Sequence, residues 1–185
     1  MIYGKLKFYL KNKNLFIISK MNPNARVEKL FGEVKEENLE SFKKMEQYGK
    51  MMSDKYMSVV QRLDGFFRSK CSSQVQWLEA NTVQSQQGPK LKDESKKAEF
   101  DKMVESFRNC VGQNEIGAEP TLRRFEEETE KIYFNFNSGV QTCFKSTNDA
   151  DAKNCLKKLV VDNANETQRL FENFSVQFDD LNKKL

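Results

Sequence analysis

The fold class that the chain predicts is all-α: a long amphipathic helix plus antiparallel helical hairpins, in an elongated bundle. Three observations carry that expectation. Turn chemistry is scarce, with 3 prolines and 8 glycines in 185 residues, too few for a many-stranded β chain or a Gly-rich nucleotide loop. The composition is polar, 38% hydrophobic against 31% charged, with a mean hydropathy of −0.76. Apolar residues recur at intervals of three and four along most of the chain, the period of a helix, and no strand-like alternation is read anywhere.

The elements follow in order. Asn22-Pro23-Asn24 is a break, with Asn24 a candidate N-cap, and Val27, Leu30, Phe31 and Val34 repeat at helical spacing beyond it. From Leu39 a stripe runs through Phe42, Met45, Tyr48, Met52, Tyr56, Val59, Val60, Leu63, Phe67, Cys71, Val75 and Leu78. That spacing predicts one long helix, interrupted near Gly49 or Ser53 if anywhere, and stopped by Gly88-Pro89. Asp93 or Ser95 can cap the next helix, whose stripe is Phe100, Met103, Val104, Phe107, Cys110 and Val111. Residues 113–119 read as a linker, and Pro120 suits the first turn of a further helix. Its stripe is Leu122, Phe125, Ile132, Tyr133, Phe136, Val140, Cys143 and Phe144. After the turn at Thr147-Asn148-Asp149 the last helix carries Cys155, Leu156, Leu159, Val160, Leu170, Phe171, Phe174, Phe178 and Leu181. The organisation is thus a basic arm or targeting segment (1–21), a long helix with a first hairpin (22–112), the linker, and a second hairpin (120–185).

Charge narrows the partners. Lys5, Lys7, Lys11, Lys13 and Lys20 stand in a first stretch of twenty residues without an acid, and the remainder holds 26 basic against 27 acidic residues. A nucleic-acid binder needs a basic face on its folded part, so no nucleic-acid partner is expected. The longest apolar run of the first stretch, Leu15 to Ile18, is too short for a membrane span or a signal-peptide core. The acid-free arm fits a mitochondrial targeting segment, a retained basic tail, or leader sequence before a start at Met21. If retained, Lys5, Lys7, Lys11 and Lys13 are candidates for peripheral contact with anionic lipid headgroups.

Catalytic chemistry has little to work with. The chain contains no histidine, which removes histidine-based nucleophilic dyads and triads and histidine metal sites. The acidic runs at Glu126–Glu130 and Asp179-Asp180 read as solvated helix faces. No enzyme activity, cofactor or metal is expected. Trp77, Met51, Met52 and Phe66 are candidate interface residues, although methionine and aromatic stripes more often serve core or helix packing. Asn165-Glu166-Thr167 and Asn173-Phe174-Ser175 match the glycosylation sequon, but both fall inside a predicted helix near its apolar stripe and read as incidental.

The four cysteines carry the most information. No two are close enough in sequence for a zinc knuckle, a redox Cys-x-x-Cys or an iron–sulfur run. The midpoint of Cys71 and Cys110 is 90.5, beside the Gly88-Pro89 break, and the midpoint of Cys143 and Cys155 is 149, at the Asn148-Asp149 turn. In an antiparallel hairpin, residues equidistant from the turn lie at one height, and each cysteine falls on an apolar stripe that faces the partner helix. Cys71–Cys110 and Cys143–Cys155 are therefore disulfide candidates, worth roughly 3–4 kcal/mol for the longer loop and somewhat less for the shorter one. The other reading is four reduced cysteines used as small buried hydrophobes.

Paired cysteines across antiparallel helices, over roughly residues 60–160, loosely resemble the helical-hairpin proteins of the mitochondrial intermembrane space, in particular a family with four Cys-x3-Cys motifs. Each motif keeps one cysteine here: Cys71, Cys110, Cys143 (with Gly139 at the partner position) and Cys155 (with Leu159 there). The resemblance implies an oxidising compartment and a small helical structural or assembly factor. The expected function is a non-catalytic accessory subunit of a large assembly, a respiratory or ATP synthase complex of the mitochondrial inner membrane on its intermembrane-space side. The alternative is a microtubule- or axoneme-associated helical scaffold in the cytoplasm, with reduced cysteines.

Overall fold

The computed structural model describes residues 25–85 and 88–185. The readings placed on the basic arm, on its lysines and on Asn24 lie outside the described residues. The described chain is all-α apart from one short ribbon: six α-helices, a single 3-10 turn and two β-strands. The helices are α1 (Ala25–Glu37), α2 (Leu39–Lys70), α3 (Ser72–Asn81), α4 (Lys97–Gln113), α5 (Ala118–Cys143) and α6 (Asp149–Lys184). Strands β1 (Thr82–Ser85) and β2 (Gly88–Leu91) pair antiparallel, Thr82 opposite Leu91 and Ser85 opposite Gly88.

Two sequence expectations are corrected. The long helix breaks at Cys71, not at Gly49 or Ser53, and ends at Asn81 instead of running on to Gly88-Pro89. Met45, Met52 and Tyr56 are buried on either side of Gly49 and Ser53 and keep those turns helical, whereas the backbone leaves helical dihedrals at Cys71, with φ −114° and ψ 38°. The region up to Gly88-Pro89 forms a β-ribbon, so strand is present after all. Its residues are mostly polar, and a two-stranded ribbon satisfies its inner backbone groups by pairing without needing an apolar face.

The chain divides into two compact units, one containing Arg62–Ile116 and the other the described residues up to Gln61 together with Gly117–Leu185. In the larger unit α5 and α6 form an antiparallel hairpin, with Phe125 against Phe174 at a ring separation of 5.4 Å. The turn between them is closed by Asn148, whose side chain accepts from the Ala150 N–H at 2.9 Å and caps α6. Helix α1 and the first part of α2 run parallel to α6. Arg26 meets Asp149, Glu33 meets Lys153, Met45 meets Asn163, and Lys55 meets Asp179, at sequence separations of 123, 120, 118 and 124. One constant offset over this length means three packed helical columns, with α1 and α2 sharing one of them.

The core of this unit is the α6 stripe and what covers it. Leu156, Val160, Phe174 and Phe178 are fully buried, and Leu156 and Val160 share one interior with Leu30, Phe31, Val34, Phe42, Met45, Val140 and Cys143. Tyr56, Phe125, Phe174 and Phe178 form an aromatic cluster with ring separations of 5.1 to 6.0 Å. The buried Tyr56 hydroxyl donates to Glu126 Oε1 at 2.6 Å. Two polar residues interrupt the stripe: Asn163 donates to Met45 Sδ at 3.0 Å, and Thr167 donates to the Asn163 carbonyl at 2.8 Å. Gly139 lets the hairpin close tightly, since a Cβ there would come within 2.6 Å of Leu159 Cδ1.

The smaller unit is built differently. Helices α3 and α4 lie antiparallel on either side of the ribbon, joined by a Gln74–Ser106 hydrogen bond of 3.2 Å. Neither helix contains a buried residue. Asp93 accepts from the Ser95 N–H at 2.9 Å and caps the 3-10 turn Glu94–Lys96 that leads into α4. At ten residues α3 is short for a free-standing helix, and α4 at seventeen is only just past the length, about 12–15 residues, below which isolated helices are marginal even in favourable sequences.

Candidate functional site: the two cysteine bridges and the surfaces around them

The cysteine pairs picked out by their distance from the turns are the pairs at bonding distance. Cys71 and Cys110 have their sulfurs 1.98 Å apart and their Cα atoms 6.0 Å apart. For Cys143 and Cys155 the values are 1.96 Å and 5.5 Å, and no cysteine is left free. Both Cα separations lie within the range a disulfide spans and below the usual spacing of helix axes, about 8–10 Å.

Their surroundings differ from the sequence expectation. All four cysteines were placed on apolar stripes, but Cys155 is exposed and Cys110 half-buried; only Cys71 and Cys143, at 1% and 3% exposure, are interior. A disulfide needs its two Cβ atoms close, not both residues covered, so a cysteine at the edge of the seam can reach an interior partner. Cys110 lines an open groove together with Gln74, Lys102, Glu105, Ser106, Asn109 and Gln113. The positions that would complete two Cys-x3-Cys motifs, Gly139 and Leu159, face each other across the second hairpin.

Around the second bridge a cluster of charges ties α1 to the α5–α6 turn. Arg26 donates from Nε to Asp149 Oδ1 and from Nη2 to the Ser146 carbonyl, both at 2.7 Å. Lys153 bridges Glu33 at 2.9 Å and Glu37 at 2.6 Å, and Lys157 also contacts Glu37. Hydrogen bonds from Lys153 and Lys157 hold the Glu37 carboxyl below its ordinary range, and those that Lys153 donates to Glu33 and Glu37 raise its own pKa. The residue pattern contained this clamp as acids and lysines on facing helices, but only the parallel offset of α1 and α6 reveals who meets whom.

The interface candidates are scattered. Met52 is interior, at 3% exposure, and is a packing residue of its own unit. Met51 is 38% exposed. Phe66 is half-buried, stacked edge-on to Phe67 at 5.4 Å with Lys70 above its ring. Trp77 is half-buried and donates from Nε1 to Glu99 Oε1 at 2.9 Å. The most exposed large apolar side chain described is Phe134, at 71%, on the far side of α5 from its stripe. Asn165 and Asn173 are exposed, not close to the stripe as read from sequence, but both remain inside the continuous helix α6, and Thr167 is buried.

Among the described residues no group of three or more acidic, cysteine or histidine side chains is arranged to hold a metal ion. No described helix is long and apolar enough to cross a membrane. Set against protein-family models, curated proteins and solved structures, the chain matches none.

Proposed function

We propose that this chain is a non-catalytic structural subunit, a disulfide-stapled helical module that works in a compartment that oxidises thiols and packs against other subunits of a large assembly. The single observation that supports the reading most is the placement of both cysteine pairs across antiparallel helices at bonding distance. Disulfides persist in oxidising compartments and are rare where thiols are kept reduced. The smaller unit, with its half-buried stripes and little core of its own, has the make-up of a part that is completed by a staple or a neighbour.

The compartment we propose is the mitochondrial intermembrane space, with the chain as an accessory subunit of an inner-membrane complex. Supporting it are the helical-hairpin bridges and the loose resemblance they carry. The test uses the tagged full-length chain in its native cells. Protection from added protease that is lost when the outer mitochondrial membrane is opened, with co-migration with an inner-membrane complex on native gels, is the expected result. Co-sedimentation with microtubules, with four alkylatable thiols, would replace this reading by the axonemal one.

A further inference from the structure

We infer that the Arg62–Ile116 unit is a redox-conditional fold: its helical hairpin stands only while Cys71–Cys110 is oxidised, so the bridge is a conformational switch for the surface that carries Trp77. The inference rests on the proposed reading only in taking both bridges to be formed.

The asymmetry between the two units carries it. Within Arg62–Ile116, Cys71 is the one described residue that is buried; Leu63, Phe67, Val75, Leu78, Met103 and Phe107, the stripes that meet in the hairpin, are all half-buried. Helix α3 has ten residues and α4 seventeen, and the contacts between them are surface hydrogen bonds such as Gln74–Ser106. Hydrophobic burial, the main force that would hold two short helices together, is therefore slight. The Cys143–Cys155 bridge, by contrast, is backed by an interior in which Cys143 packs with Val34, Val140, Leu156 and Val160, all buried. Opening the first bridge removes the principal restraint on its unit, whereas opening the second leaves a packed core in place.

The bridge also lies beside solvent. Cys110 is only half-buried and lines a solvent-open groove. Its Sγ is covered on the protein side by the Lys70 carbonyl and the Asn114 amide at 3.7 and 3.8 Å, so the groove is the side from which an external dithiol would approach it. Attack forms a bond from that sulfur to Cys110 Sγ and breaks the Cys71–Cys110 bond, whose electron pair leaves on Cys71 Sγ. That sulfur takes up a proton from water. The second thiol of the dithiol then displaces Cys110, closing the dithiol's own disulfide. Two electrons and two protons pass from the dithiol to the bridge. The reaction releases two helices that have little else to hold them, and with them the Trp77–Glu99 contact that fixes the indole between α3 and α4.

The experiment is amide hydrogen exchange of the full-length protein, oxidised and after reduction by dithiothreitol, with thiols counted by alkylation. In the oxidised protein both α3–α4 and the α5–α6 hairpin are expected to be protected. On reduction, protection across residues 72–113 should fall at least a hundredfold, towards unfolded rates, while residues 150–181 keep protection within tenfold. The double variant Cys71→Ser/Cys110→Ser, with the second bridge intact, should reproduce that pattern without reductant. Retained protection of 72–113 in either case overturns the inference, and so does simultaneous loss of protection in both units. Four free thiols before any reduction would instead overturn the proposed function, a separable outcome.

Discussion

At the scale of single residues, the side chains that matter most for stability are those that fill the α6 seam. Leu156 and Phe174 have no exposed surface, so Leu156→Ala should cost about 2–5 kcal/mol and Phe174→Ala about 3–5 kcal/mol in a denaturant titration. The glycines divide by environment. Gly65 lies inside α2 with open space where a Cβ would stand, and Gly65→Ala should stabilise by about 0.5–1 kcal/mol. Gly117 precedes α5 at φ 75°, and Gly117→Ala should destabilise by about 1–2 kcal/mol. Titration follows from the clamp around Lys153. The Glu37 pKa is lowered in the folded chain, so its contribution is present above the ordinary carboxylate range and disappears as pH falls through the lowered value. The Lys153 pKa is raised, so its contribution is present below the ordinary lysine value and disappears as pH rises through the raised one. With no histidine in the chain, unfolding midpoints should stay flat between about pH 5.5 and 9. Glu37→Gln should weaken the acid limb. The residues missed by sequence reasoning were the polar ones inside the seam. The apolar stripe lapses between Val160 and Leu170, yet the helical period continues through Asn163, Ala164 and Thr167, which are buried. Following the period instead of the residue type would have found them.

At the scale of elements, the helices were legible because their apolar spacing is strong, while the ribbon Thr82–Leu91 and the break at Cys71 were not. A pair of four-residue strands, Thr-Val-Gln-Ser and Gly-Pro-Lys-Leu, is too short to show an alternating face, and its existence depends on pairing alone. The break depends on a partner 39 residues away. Pairing of the cysteines, on the other hand, was legible from simple geometry, because two residues equidistant from a turn share a height in any antiparallel hairpin. Which of them is covered was not, since exposure depends on rotation about the helix axis at the edge of the seam. An element-level prediction follows from the shorter bridge. Its removal in Cys143→Ser/Cys155→Ser releases a loop of about 12 residues and should cost about 3 kcal/mol on the chain-entropy model. The α5–α6 hairpin should nevertheless stay helical by circular dichroism, because Val140, Leu156 and Val160 still pack across it.

At the scale of the whole molecule, composition excluded more than it assigned. A chain without histidine, with few glycines and with its excess positive charge confined to the first twenty residues, speaks against the commoner kinds of catalytic and nucleic-acid-binding protein. What it assembles with was not legible, because partner recognition lies in surface shape and chemistry instead of in the periodicity that specifies helices. The proposed oxidising compartment and the conditional fold of the smaller unit both require that two covalent staples hold the hairpins. The most direct test is the intact mass of the protein isolated under non-reducing conditions with free thiols blocked, followed by proteolytic mapping of the linked peptides. Two bridges, Cys71–Cys110 and Cys143–Cys155, with no blocked thiol, is the expected result. Four blocked thiols, or bridges that link one hairpin to the other, would contradict it.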